Sequence, residues 1–145
     1  MMTPDAETVV RGFLADVRSG DHPDRADRYF APSVTAHQVV SEGEFVVMRS
    51  PENYAEHIRE FLTLYGRFQF QVTELIASGD RVYVRWRQTG RHLQSVAGEP
   101  PSGQPLIDVS SAVYRVEDGR IVEYWIQSDR AGMDLQLAAI ARSAA

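Results

Sequence analysis

Residues 118–129 read Asp118-Gly-Arg-Ile-Val-Glu-Tyr-Trp-Ile-Gln-Ser-Asp129, and this stretch decides the fold. Asp-Gly is a hairpin turn pair, and the residues behind it alternate as a strand does. Strict alternation puts Ile121, Glu123, Trp125, Gln127 and Asp129 on one face and Val122, Tyr124, Ile126 and Ser128 on the other. A face that ends in Trp, Gln and Asp is not plain core, because an unpaired buried carboxylate is costly. Asp129 therefore either caps the next helix on the surface or sits in a pocket that uses its chemistry.

Before this hairpin the pattern is strand-like back to residue 68. Leu106 to Val116 is the partner across Asp118-Gly119. Phe68 to Ile76 and Arg81 to Arg91 meet at Gly79-Asp80 by the same logic. Earlier still, Ser50-Pro51 reads as a cap and first helical residue, and Tyr54, Ile58, Phe61, Leu62 and Tyr65 form an apolar stripe up to Gly66. Short strands are expected at Val34 to Val39 and Phe45 to Met48. A short helix is expected at Asp24 to Phe30, closed by Pro32. The first helix starts near Pro4 with Thr3 as cap, carries Val9, Val10, Phe13, Leu14 and Val17 on one face, and stops at Ser19-Gly20-Asp21. After the hairpin, Arg130 to Ala144 is helical with Ser128 as its expected N-cap. Helices, then long antiparallel strands, then a closing helix make an α+β chain, with residues 1–145 expected to form one domain.

Composition removes several chemistries. The 145 residues contain no cysteine and no lysine, all fifteen cationic side chains being arginine. Thiolate nucleophiles, Cys-ligated zinc, lysine Schiff bases and a P-loop lysine are therefore impossible. The net charge of −5 argues against nucleic acid or an acidic membrane as partner. Arg81, Arg85, Arg87 and Arg91 share a parity, which reads as a solvated or subunit-facing strand face. The four histidines, at 22, 37, 57 and 92, lack metal-ligand spacing, and there is no nucleophile elbow or Gly-rich dinucleotide loop. No metal is expected. The first twenty residues carry too many charges for a signal peptide or membrane span, so the default location is cytoplasmic.

Three pieces resemble the SnoaL-like polyketide cyclase (ester cyclase) branch of the nuclear-transport-factor-2-like superfamily. Gly90-Arg-His92 follows a Val-Arg-Trp strand and is similar to the branch's Gly-Thr-His, with Arg91 in place of Thr. Gly98-Glu-Pro-Pro-Ser-Gly103 is similar to its Gly-x-Pro-Pro-Thr-Gly. Asp118-Gly-Arg-Ile-Val-Glu-x-Trp125, followed by Asp129, Gly132-Met133 and Gln136-Leu137, is similar to its C-terminal signature. The resemblance implies a cone, in which N-terminal helices pack on a strongly curved sheet that encloses a pocket. It also implies ring closure on a polyketide without metal or organic cofactor, with Asp129 at the position of the branch's general acid/base.

On that basis the expected catalytic residues are Asp129, with Trp125 as apolar wall, and His92, which shares parity with Trp86 and could donate to an enolate oxygen. The expected substrate-binding residues are His37, Gln38, Trp86, Asp108, Ser110, Trp125 and Gln127. Blander alternatives stand beside each: a helix-start Asp, a half-exposed His92, a satisfied core His37, a solvent-facing Gln127. A carboxylate at Asp108 near Asp129 would raise one pKa by like-charge repulsion. Phe13, Tyr54, Phe61 and Tyr65 are read as core, His57 as surface, and His22 as loop. The expected activity is a cofactor-independent cyclase or isomerase performing an aldol-type closure on a hydrophobic polyketide-derived substrate. Alternatives are an Asp-activated-water hydratase, epoxide hydrolase or hydroxylation-related enzyme, and a non-catalytic binding module. A homodimer through the outer sheet face is expected.

Overall fold

The computed structural model describes residues 2–144. Helix α1 (Ala6–Phe13) runs directly into a wide π turn, Leu14–Arg18, closed by Ser19 N–H donating to the Leu14 carbonyl at 3.0 Å. A 3₁₀ segment, Pro23–Arg28, leads into strands β1 (Phe30–Gln38) and β2 (Phe45–Arg49). Helix α2 (Pro51–Tyr65) follows, then β3 (Gln69–Ser78), β4 (Arg81–Arg91), β5 (Pro105–Glu117), β6 (Arg120–Ser128) and α3 (Arg130–Ala144). The six strands form one sheet in the order β2-β1-β6-β5-β4-β3, antiparallel except for the parallel β1–β6 pair.

Local chemistry explains most of these boundaries. Asp118 and Gly119 both have positive φ, 50° and 76°, as a type I′ turn requires, so Glu117 pairs directly with Arg120. Ser50 and Asn53 form a reciprocal capping box at the start of α2. Two expectations shift by a few residues. Asp5, not Thr3, caps α1, since its Oδ1 accepts from Thr8 N–H at 2.8 Å. The short helix ends at Arg28, so Pro32 lies inside β1. Proline is tolerated there because pairing with β6 breaks between Phe30 and Thr35 and pairing with β2 begins only at Val34.

Alternation on β4 and β5 is strict. Val82, Val84, Trp86 and Gln88 face inward opposite Tyr114, Ala112, Ser110 and Asp108. On β6 it is not. The register shifts between Arg115 and Val116, which pair with Glu123 and Ile121, so β6 carries an extra residue at Val122. Ile121 is inside, but beyond the bulge the inward residues are Tyr124, Ile126 and Ser128, and Glu123, Trp125 and Gln127 face out.

The core lies between the inner sheet face and α1 and α2. Phe13 is fully buried and touches Phe30 (5.1 Å between ring centroids), Tyr54 (5.4 Å) and Tyr114 (5.5 Å), tying α1 to β1, α2 and β5. At the far end of α2, a Cβ on Gly90 would come within 2.7 Å of the Tyr65 Cβ, so a bare backbone lets the helix end close on β4. Removing the Phe13 ring leaves a cavity shared by four elements. Phe13→Ala should lower unfolding stability by about 3–5 kcal/mol in urea denaturation; a loss under about 1 kcal/mol would show that this cluster does not hold the helices to the sheet.

Candidate active site

A cavity of about 420 Å³ opens between the inner sheet face, α2 and the β1–β2 loop. Tyr54, His57 and Phe61 of α2 line one side and Trp86, Asp108, Ser110 and Tyr114 of β4 and β5 the other. Gln38, Tyr124, Ile126 and Ser128 complete the β1–β6 wall, and Arg18 and Arg49 contribute two cations. At the mouth, Arg130 at the start of α3 forms a two-pronged pair with Glu42 of the β1–β2 loop, at 2.6 and 3.1 Å. Among the described residues, no group of three or more His, Cys, Asp or Glu side chains is placed to hold a metal.

The cavity's free carboxylate is Asp108. Its partner is Ser110, whose hydroxyl donates to Oδ2 at 3.0 Å; Ser128 lies 2.8 Å from the same hydroxyl and so donates into it. Burial pushes the Asp108 carboxyl above the ordinary carboxylate range, and the Asp129 charge adds to this. The Ser110 hydrogen bond and the Arg18 charge oppose the rise. Gln88 stands directly opposite on β4, buried, with its Oε1 lacking a hydrogen-bond partner. The indole Nε1 of fully buried Trp86 also lacks one, as do Nη1 of Arg18 and Nε of Arg49. Three unfilled donors thus belong to residues that line the cavity, together with one acid, Asp108, that has no ion-pair partner.

Sequence reasoning placed some of these residues and missed others. Gln38, Trp86, Asp108 and Ser110 line the cavity as expected. Asp129 does not: it is exposed, and its Oδ1 accepts from Gly132 N–H at 2.8 Å, capping α3. Asp129, not Ser128, is therefore the cap, and a Cβ on Gly132 would collide with its carboxylate. Trp125 and Gln127 lie on the outer face because of the Val122 bulge. His37 joins them there, stacked on Trp125 at 4.9 Å, with Nε2 2.6 Å from Glu123 and Nδ1 3.3 Å from Glu44. His92 is wholly buried outside the cavity lining, with Nδ1 2.9 Å from Ser102 Oγ and Nε2 3.2 Å from the Glu99 carbonyl. It organises the β4–β5 loop.

His57, read as surface, lines the cavity, and burial together with the Arg49 and Arg18 charges lowers its pKa to about 4. It is a neutral imidazole at working pH. Arg18 was not anticipated at all. It is 4% exposed, and its guanidinium carbon lies 5.0–5.8 Å from the ring centroids of Phe61, Phe68, Phe70 and Trp86. The wide turn at Leu14–Arg18 advances each residue by less than an α turn would, rotating Arg18 back toward the buried stripe. Its four-residue spacing from Leu14 was the available signal.

Comparison with known proteins agrees with this architecture. The family model for SnoaL-like polyketide cyclases matches residues 8–137. The chain belongs to that family, which supports a cyclase-type role. A candidate polyketide cyclase from Acidithiobacillus ferrooxidans superposes with a TM-score of 0.80 at 23% identity, covering 97% of this chain and 99% of that one. IdmH, a candidate polyketide cyclase from Streptomyces antibioticus, gives 0.76 at 26% identity over 93% and 99%. AclR, a candidate hydroxylase from Streptomyces galilaeus, gives 0.75 at 19% identity over 92% and 81%. No curated protein matches the chain. No helix among the described residues is long and apolar enough to cross a membrane.

The two aspartates differ in what their removal does to folding. A raised carboxyl pKa means the folded chain binds more protons than the unfolded one, so Asp108 favours folding at low pH and that contribution is lost as pH rises through its folded pKa. Asp108→Asn should therefore be more stable than the parent at neutral pH, with the advantage shrinking toward pH ~4, the ordinary Asp value. Asp129→Ala should instead lose about 0.5–2 kcal/mol through the missing cap, and Asp129→Asn far less. Urea midpoints at the two pH values read both effects; a destabilised Asp108→Asn at neutral pH would contradict the burial argument.

Proposed function

We propose that this chain is a cofactor-independent enzyme that closes a ring on a polyketide-derived substrate by intramolecular aldol addition, with Asp108 carrying the proton. The observation that supports it is a half-buried carboxyl with a raised pKa, in a cavity lined in part by aromatic side chains and by residues that hold unfilled hydrogen-bond donors. The Asp108 carboxylate takes a proton from carbon beside a carbonyl, giving an enolate and a neutral acid. The enolate carbon attacks a second carbonyl of the same substrate, and the new alkoxide takes the proton back from Asp108. The free indole N–H of Trp86 is the proposed donor to the developing enolate oxygen. The cavity holds the flexible chain in one reactive shape, which converts much of the barrier into binding.

Asp129 has a supporting part in this reading. Its charge reaches Asp108 from outside and helps keep that carboxyl protonatable. It acts through Asp108, not on the substrate. The outer sheet face, with Val46 and Met48 of β2 about half exposed and Trp125 of β6 across His37 from them, is the proposed homodimer surface. Light scattering should give twice the 16.3 kDa chain mass, and a monomer would contradict it.

Exchange of the α-hydrogen of an aromatic β-dicarbonyl probe in deuterium oxide, followed by NMR, tests the chemistry without the native substrate. Asp108→Asn should slow enzyme-catalysed exchange about 10²–10⁴-fold while the probe still binds. The pH–rate midpoint should lie above the ordinary Asp value. Arg18→Met should raise it further, by removing a cation that favours the carboxylate, and Asp129→Asn should lower it. Undiminished exchange in Asp108→Asn would remove the acid/base reading and leave a binding module.

A further inference from the structure

The cavity's charge balance suggests what kind of molecule it takes. Arg18 is almost wholly buried and Arg49 half-buried, and neither has a carboxylate within ion-pair distance among the described residues. The other lining cation, Arg130, is already matched by Glu42. Guanidinium groups keep their charge in proteins. A buried charge without a partner is expensive, and a chain selected only for stability replaces it with an apolar residue of similar size. Four aromatic rings around Arg18 offset part of that cost through their faces, yet Nη1 still points at no acceptor. Arg49, on β2, reaches the Tyr124 hydroxyl with its guanidinium but leaves Nε unfilled and has no carboxylate partner among the described residues. The two cations flank the same space: both act on Tyr54, His57 and Tyr124.

Asp108 does not complete either cation. Its hydrogen-bond partner is Ser110, and it makes no ion pair with Arg18. A carboxyl biased toward its neutral form is in any case a poor counterion. What fits is a ligand group with two planar oxygens and a negative charge, since that geometry matches a guanidinium's paired donors. The surrounding Tyr54, Phe61, Tyr114 and Tyr124 favour a flat aromatic body attached to it.

We infer that Arg18 and Arg49 form an anion subsite, and that the substrate is an aromatic polyketide acid whose free carboxylate docks there while its reacting carbon lies against Asp108. This rests on the ring-closure reading for the second half only. The subsite itself is a statement about binding, independent of which group moves the proton. An ester or amide at that position would leave the buried Arg18 and the half-buried Arg49 without a counterion, so the subsite selects for acids over their neutral derivatives.

The test compares 2-naphthoate with 2-naphthamide, two probes of nearly equal shape that differ in charge, by isothermal titration calorimetry with tryptophan fluorescence as a second readout. The parent protein should bind the acid about 10–100-fold more tightly, the range of charged hydrogen bonds. Arg18→Met should abolish the preference, and Arg49→Met should reduce it. Methionine keeps the length and apolar stem of each side chain, circular dichroism checks that each variant folds, and the parent's own acid-to-amide ratio needs no variant. Equal affinity for acid and amide would overturn the inference, as would absence of binding by the acid or a preference that survives in both arginine variants. Asp108→Asn should keep the preference. If that variant loses hydrogen exchange while the preference is absent from the parent, the subsite fails and the ring-closure reading stands. Undiminished exchange in Asp108→Asn, with a clear preference in the parent, removes ring closure through Asp108 and keeps the subsite.

Discussion

The two-residue period of β5 is the constraint on which the site depends. Once Ala112 and Tyr114 face the core, Ser110 and Asp108 must face the same side, since a strand without a bulge cannot skip a position. A carboxylate is thereby delivered into a partly desolvated space by the same register that buries Tyr114. The Ser110 and Ser128 hydroxyls give it one ordered hydrogen-bond chain without neutralising it. Burial then does the rest, making the acid reluctant to ionise. The cavity-facing acid and the buried core of β5 thus share one alternation.

The opposite wall shows how local irregularity sets the site. The single extra residue at Val122 turns Trp125 outward and Ile126 and Ser128 inward. Without it, Trp125 would occupy cavity space and Ser128 could not reach Ser110. The wide turn at the end of α1 has a comparable effect, bringing a charged residue to the otherwise apolar buried side of the helix. Two departures from ideal geometry thus supply a hydroxyl relay and a cation. Bulges and π turns are over-represented at functional sites for this reason: they re-aim single side chains while the rest of the element stays in place.

Much of the architecture was legible in the sequence. The turn pairs Gly79-Asp80 and Asp118-Gly119 fixed the two hairpins, the Ser50-Pro51 start fixed α2, and strict alternation on β4 and β5 led to Trp86, Asp108 and Ser110. The site's remainder was not legible, for identifiable reasons. A bulge adds one residue without any compositional mark, so counting parity from Ile121 assigned Trp125 and Gln127 to the wrong face. Asp129 satisfied two patterns at once, a strand-end acid and an N-cap, and only the hydrogen bond to Gly132 separates them. His37 was correctly placed on β1, but on the face that stacks with Trp125. Arg18 lay at the end of an apolar stripe, where an arginine normally turns to solvent.

The proposed chemistry requires the Asp108 carboxyl, inside the cavity, to exchange protons at working pH. Its ionisation can be read directly, by following the Asp108 carboxyl carbon resonance in a ¹³C-labelled protein through a pH titration, with Asp108→Asn to assign the signal. The midpoint should lie above the ordinary aspartate value and move when an aromatic ligand fills the cavity. A midpoint at or below that value, indifferent to ligand, would contradict that chemistry.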